Sequence, residues 1–270
     1  MQQSDKIELA VIGGTGVYQA DMLEDSEWKE IQTRYGTASV LVGKLADRPV
    51  AFLTRHGKGH SIPPHLINFR ANIMALKQLG VKRVIATAAV GSLNEKMKPL
   101  DFVLADQFLD FTKSRVSTFF EGDESGVVHL DVTDPYCGDL RRFIAAQAKE
   151  LGMTAHQGGC YVTTEGPRFE TPAEIRMFKQ LGGDLAGMTS VPEVVLAKEA
   201  GMCYANISMV TNFAAGISKT ALSHAEVLEA MEVISGNISK LIMTILAKLP
   251  VESDCNCKDM AQIFEERLMN

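Results

Sequence analysis

Short apolar runs rich in Val, Ile and Ala recur at Leu9–Ile12, Ser39–Val42, Val50–Thr54, Arg83–Ala88, Phe102–Ala105, Cys160–Thr163 and Met202–Val210. Such runs predict buried strands, because both faces of a sheet must be apolar when helices cover them. Between them the period changes. Leu66, Ile67, Phe69, Arg70, Ile73, Met74 and Leu76 set a broad apolar stripe on one side of a helix that stops at Gly80. Three later helices share a start signal: Thr171-Pro172-Ala173-Glu174, Ser190-Val191-Pro192-Glu193 and Ser223-His224-Ala225-Glu226. In each, a hydroxyl can accept from an orphan N–H while the Glu three residues on reaches back to the cap. Pro172 takes the first helical position, where its missing donor costs nothing. Strands alternating with helices predict an α/β fold: a central mixed, largely parallel β-sheet flanked by helices. The segment from Ser117 to Pro135 follows neither period and carries Phe119, Phe120 and His129, which marks it as a functional or interface loop.

Composition narrows the class. The 270 residues are 46% hydrophobic and 22% charged, which fits a packed core and excludes disordered and collagenous chains. No repeat or linker divides them, so one domain is expected over 1–270, with a polar tail at 1–6 and a C-terminal extension bearing a short helix at 251–270. The net charge of −6 and pI near 5.6 argue against nucleic acid and anionic membranes as partners. An anionic substrate would need a local cationic pocket. Met1–Lys6 lacks the apolar core of a signal peptide, and no uninterrupted apolar run reaches the roughly 18 residues of a bilayer span. The expected location is cytoplasmic. Of the five cysteines, Cys137, Cys160 and Cys203 are scattered, the last two inside apolar runs, which predicts buried thiols. Cys255 and Cys257 form a C-x-C pair in a polar segment. A disulfide there would close a tight ring and two residues are too few for zinc, so exposed reduced thiols and no metal are expected.

Candidate chemistry lies at the ends of strands. Gly13-Gly14-Thr15-Gly16 fails as a dinucleotide fingerprint, since Gln19 stands three residues after Gly16, and no Gly-Lys-Ser/Thr closes it as a Walker loop. It stays a turn whose N–H groups and Thr15 hydroxyl could hold one anion, or simply a tight turn. A second turn is read at Ala88-Ala89-Val90-Gly91-Ser92, where small residues permit either a close ligand or close packing. Arg55-His56-Gly57-Lys58-Gly59-His60 sets four cation-capable side chains in six residues of an acidic protein. It is either a phosphate fork or a solvated basic turn.

These motifs, with Gly91-Ser92-Leu93, Glu165-Gly166-Pro167-Arg168-Phe169 and Met188-Thr189-Ser190-Val191-Pro192-Glu193-Val194, occur in an order that resembles the trimeric purine nucleoside phosphorylases and methylthioadenosine phosphorylases. The resemblance runs from Leu9 to the helix at Ser223. It implies cleavage of a purine nucleoside by inorganic phosphate, with no other cofactor, in a homotrimer or a dimer of trimers. It also implies phosphate among Thr15, Arg55, His56, Ala88, Ala89 and Thr189, with Arg55, His56 and Asn212 catalytic. Phe169, Glu170, Asn212 and Ala214 would meet the base, and Met188, His224 and His129 the ribose, the last from a neighbouring subunit. Methylthioadenosine phosphorylases usually carry Thr at the Ala88 position, so one hydroxyl contact is missing.

Base preference follows from donors and acceptors. A carboxylate such as Glu170 only accepts, which suits the N1–H of a 6-oxopurine, while the Asn212 amide can serve O6 and N7. Adenosine-type relatives tend to carry Ser and Asp there. Inosine and guanosine are therefore the expected substrates, with methylthioinosine or methylthioadenosine as alternatives because Arg55-His56-Gly57 and the His129 loop resemble the methylthioadenosine branch. A nucleoside hydrolase and a non-catalytic nucleotide-binding module are the competing classes.

Overall fold

The computed structural model describes residues 6–14, 23–57, 59–122, 124–217, 224–250 and 253–269, with side chains at 224–226 set aside. Thr15, Gly16, Lys58 and Ser223, and the side chains of His224 and Glu226, therefore lie outside the described residues.

The strands are β1 (Leu9–Gly13), β2 (Glu24–Thr33), β3 (Gly36–Leu45), β4 (Arg48–Thr54), β5 (Arg83–Ser92), β6 (Phe102–Leu104), β7 (Gln107–Phe111), β8 (Ala155–His156), β9 (Cys160–Thr164), β10 (Leu185–Gly187) and β11 (Cys203–Phe213). The helices are α1 (Phe69–Gln78), α2 (Gly138–Glu150), α3 (Pro172–Gln180), α4 (Ser190–Glu199), α5 (His224–Lys248) and α6 (Ala261–Phe264). All strands join one mixed sheet of order β2-β3-β4-β1-β5-β10-β9-β7, with β11 on β5 and β6, and β8 on β6. The predicted α/β architecture holds. All seven apolar runs are strands, and β1, β5 and β11 are buried along most of their length, as helices on both faces demand.

The differences are local and have physical causes. β2 reads EDSEWKEIQT and is mostly exposed; it pairs antiparallel at the sheet edge, where one strand face and one rim stay wet, so no apolar run announces it. The expected turn at Ala88–Ser92 is strand: β5 runs straight on to Ser92 against β11. The predicted helix begins at Phe69, capped by Asn68, and Leu66 instead ends a 3-10 turn and is exposed. Thr171 forms the expected capping box with Glu174. Ser190 does not cap α4. Val191 is non-helical (φ −109°, ψ 132°), the Ser190 hydroxyl pairs with the Tyr136 hydroxyl at 2.6 Å, and Glu193 turns into the core.

The loop from Ser117, expected to be functional or an interface, is anchored at its start: Thr118 Oγ1 and the Phe119 N–H donate to Glu199, and Phe119 and Phe120 pack on Phe264. The C-terminal extension is accordingly part of the body, with Phe264 and Leu268 buried. Val227–Lys248 of α5 is long and apolar enough to cross a membrane by length and composition, although broken polar positions hid this from a search for uninterrupted runs. Its Ile234, Ile238, Leu241, Ile242 and Ile245 are buried in the core.

Candidate active site

β5 has β1 beside it from Arg83 to Ala86 and β10 beside it at Gly91 and Ser92. Among the described residues, Thr87–Val90 between them has no strand neighbour on that side, while β11 continues along the other. A strand left open in mid-sheet offers main-chain donors to whatever fills the gap. A cavity of about 490 Å³ lies there, within the usual range of small-molecule sites. The ends of β1 and β4 meet it with Gly14, Arg55 and His56, the β10 end supplies Met188 and Thr189, and the β11 end Asn212 and Ala214.

Arg55 is the electrostatic centre. It is buried, 2% exposed, and its Nε and Nη2 donate to the two carboxylate oxygens of Glu193, each at 2.7 Å. Nη1 donates to the Thr87 carbonyl at 2.9 Å. Burial alone would push the guanidinium pKa down, but Glu193 outweighs it and raises it, so the cation is permanent. Of the five N–H groups of a guanidinium, these three contacts leave two without a partner among the described residues, one on each terminal nitrogen. Glu193 also accepts from the Tyr204 hydroxyl at 2.7 Å. Glu193 and Tyr204 escape a sequence reading because the Ser190-x-x-Glu193 spacing imitates a cap.

His56 is held from the other side. Its Nδ1 lies 2.9 Å from the Ile62 carbonyl, which only accepts, so Nδ1 carries the proton and Nε2 the lone pair. Burial is the main cause that lowers its pKa to about 4, with Arg55 and His60 adding to the shift and the Ile62 bond opposing it. At neutral pH the ring is uncharged. Of the cation-capable side chains in this cluster, His56 thus offers phosphate a neutral acceptor rather than a charge.

The opposite wall is built for a flat polar edge. Glu170 lines the cavity and accepts from Thr164 Oγ1 at 2.6 Å, which fixes its carboxylate. Asn212 is 5% exposed. Its register explains its position: pairing shifts between Val210 and Asn212, so Thr211 is the extra residue of a bulge that re-aims the strand end. Thr211 Oγ1 donates to Asn212 Oδ1 at 2.7 Å, and Asn212 Nδ2 donates to the Phe213 carbonyl at 2.9 Å, leaving one amide N–H without a partner among the described residues. Gly91 lets β5 lie close beside it, since a Cβ there would sit only 3.3 Å from Nδ2. Phe169, 42% exposed, and Val227, Leu228 and Met231 of α5 close the apolar side.

Of the residues expected from sequence, Arg55, His56, Ala88, Ala89, Phe169, Glu170, Met188, Thr189, Asn212 and Ala214 all line this one cavity. Thr15 and the His224 side chain lie outside the described residues. His129 is exposed and is not in this cavity's wall. The sequence reading missed Thr87, whose buried hydroxyl has no partner among the described residues, and Arg115. Arg115 donates to the carbonyls of Thr164, Glu165, Met188 and Val191, tying together the β9 and β10 ends, of which Met188 lines the cavity.

The α/β sheet, opened in mid-strand over a buried cationic fork and faced by a carboxylate and an amide, defines an enzyme-like cleft for a ligand with an anionic and a flat polar part. The chain matches the Phosphorylase superfamily over residues 8–247 and belongs to that family. It is 55% identical over 251 residues to a probable 6-oxopurine nucleoside phosphorylase of Moorella thermoacetica, covering 93% of this chain and 96% of that one. It is 52% identical to the 6-oxopurine nucleoside phosphorylase of Pyrococcus furiosus, with the same coverage. A probable S-methyl-5'-thioinosine phosphorylase of Methanopyrus kandleri is 48% identical, again over 93% and 96%. Among solved structures, methylthioadenosine phosphorylase from Schistosoma mansoni in complex with adenine superposes with a TM-score of 0.89 at 31% identity, covering 97% of this chain and 99% of that one.

Proposed function

We propose that this protein is a purine nucleoside phosphorylase that splits inosine and guanosine with inorganic phosphate, giving the free 6-oxopurine and ribose 1-phosphate. The observation that carries the reading is the pairing of Glu170 and Asn212 on the wall of the cavity that Arg55 and His56 line. The relatives named 6-oxopurine nucleoside phosphorylase support it.

The chemistry follows from the geometry. The two unused N–H groups of Arg55 face a dianionic phosphate, and Thr189 and the open backbone at Ala88–Ala89 supply further donors. Hydrogen phosphate keeps one P–OH, which donates to the lone pair on His56 Nε2. A neutral His56 therefore selects the singly protonated dianion. The C1′–N9 bond lengthens first, leaving positive charge on the ribose and negative charge on the purine. A phosphate oxygen then bonds to C1′. The purine departs with the C1′–N9 electron pair and takes up the proton that phosphate gives up. The free N–H of Asn212 donates to N7 as that charge develops, a contact stronger in the transition state than before it. Met188 and Phe169 pack over the sugar and base and keep water from the cation. Phosphate supplies the nucleophile, so no side-chain nucleophile or organic cofactor enters the proposal.

Glu170 accepts from N1–H, and adenine, which lacks that proton, leaves it unpaired; sites built to hydrogen-bond their substrate reject such analogues by about 10⁴-fold. Methylthioinosine is the second reading. The apolar α5 residues Val227, Leu228 and Met231 would suit a methylthio group, and the Methanopyrus relative carries that substrate in its name. The proposal includes a cytoplasmic homotrimer or dimer of trimers, in which exposed His129 would reach a neighbouring subunit's pocket.

The test is base release from inosine, guanosine, methylthioinosine, adenosine and methylthioadenosine, each with and without phosphate. Phosphate-dependent release from the 6-oxopurine nucleosides supports the reading. Release that ignores phosphate marks a hydrolase, and a preference for the 6-amino substrates removes Glu170 from the base site.

A further inference from the structure

Four of the five cysteines come together far from the cleft. Cys137 is the N-cap residue of α2, Cys203 opens β11, and Cys255 and Cys257 follow α5 in the C-terminal extension. Their sulfur atoms all lie within 4.8 Å of one another, and Cys203 and Cys255 approach to 3.3 Å. All four are free thiols. Cys203 is buried as expected and Cys137 is buried too, whereas Cys160 is only half-buried, and the C-x-C pair, expected to be exposed, is half-buried.

We propose that Cys137, Cys203, Cys255 and Cys257 form a structural site for one tetrahedral divalent cation, zinc by the chemistry of the donor set. Zn–S bonds of about 2.3 Å in a tetrahedron set sulfurs about 3.8 Å apart, which this cluster reaches with small shifts. Four soft thiolates select zinc over magnesium or calcium, which take oxygen. The positive end of α2 meets Cys137 and favours its thiolate. A cavity of about 200 Å³ borders Cys137 and Cys203 and gives an ion a route inward. Its wall carries Asp139 and Asp254, which would draw a cation in, and Arg83, which offsets the negative charge of a four-thiolate complex.

The site would clamp three segments that the chain itself does not join: the start of α2, the start of β11 and the extension that carries Phe264 into the core. It takes no part in the chemistry. Cys203 and Asn212 stand at opposite ends of β11, nine residues or about 30 Å apart along the strand. Metal binding then adds to folding stability rather than to turnover.

The experiment uses the full chain, purified under reductant without oxygen, stripped by a chelator and titrated with cobalt(II). The expected result is one cobalt per chain with the visible d–d bands and near-ultraviolet thiolate charge transfer of tetrahedral coordination, displaced by zinc. Zinc at 100 times its Kd should raise Tm by about 5 °C or more. Cys257→Ser and Cys255→Ser should each abolish the bands, whereas Cys160→Ser should keep them, since that thiol stands apart. Should a variant fail to fold, wild-type spectra and thiol counts still decide. Four reactive thiols with no cobalt bands and no zinc shift would overturn the proposal. So would mass spectrometry showing these cysteines paired as disulfides in protein isolated without oxidant.

Discussion

Glu193→Gln tests how the cleft holds its cation. The substitution keeps the shape of the side chain but removes the charge and turns one acceptor oxygen into an NH2 group facing the Arg55 donors. One of two 2.7 Å contacts is lost, and the bond to Tyr204 Oη with it if the amide turns the other way. The guanidinium stays 2% exposed with no counter-charge. Breaking a buried pair in this way costs about 3–5 kcal/mol. At about 2 °C per kcal/mol for a chain of this length, Tm should fall by roughly 6–10 °C. The kinetic effect is separate. An Arg55 displaced by about 1 Å should lower kcat/KM for phosphate by about 10²-fold. The KM for inosine should change far less, because Glu170 and Asn212 are untouched. Phosphate should also recover part of the lost Tm in the variant, since the dianion replaces the missing charge, and Glu193→Asp should restore activity in part. Thermal unfolding and initial rates across a phosphate series read all of this. A Tm within 1 °C of wild type (about 0.5 kcal/mol or less) with an unchanged phosphate KM would refute the argument.

Three other outcomes follow. Asn212→Asp should depress inosine cleavage steeply, by about 10²-fold or more, and shift the inosine-to-adenosine ratio toward adenosine; an unchanged ratio would take Asn212 out of base recognition. His56 has a folded pKa lowered to about 4 against about 6.5 unfolded, so the unfolded chain binds more protons between those values. Stability from this group is therefore complete above about pH 6.5 and lost as pH falls toward 4, and in phosphate-free buffer His56→Gln should flatten the Tm profile across that window. Arg115→Met should unclamp the carbonyls of Thr164, Glu165, Met188 and Val191, lowering kcat/KM for nucleoside by about 10²-fold; wild-type kinetics would show that the clamp does not position the site.

Much of this was legible in the sequence because it is local. A buried parallel strand must be apolar on consecutive residues, so β1, β4, β5 and β11 announce themselves. The Thr171 cap is read correctly because all its partners lie within three residues. What failed depends on contacts made across the fold. Ser190 and Glu193 have a capping spacing, yet Arg55, 138 residues away, takes the carboxylate. The Thr211 bulge exists only relative to β5, and the open stretch of β5 only relative to β1 and β10. Likewise Cys137 and Cys203 give no signal of the C-x-C pair that reaches them, and the polar β2 gives none of its partner.

The most direct test is a crystal structure of the protein with phosphate and an unreactive inosine analogue. The account predicts the anion on the two remaining N–H groups of Arg55 with one oxygen on His56 Nε2, and the base edge between Glu170 and Asn212. An anion bound elsewhere, or a base turned away from those two side chains, would contradict it.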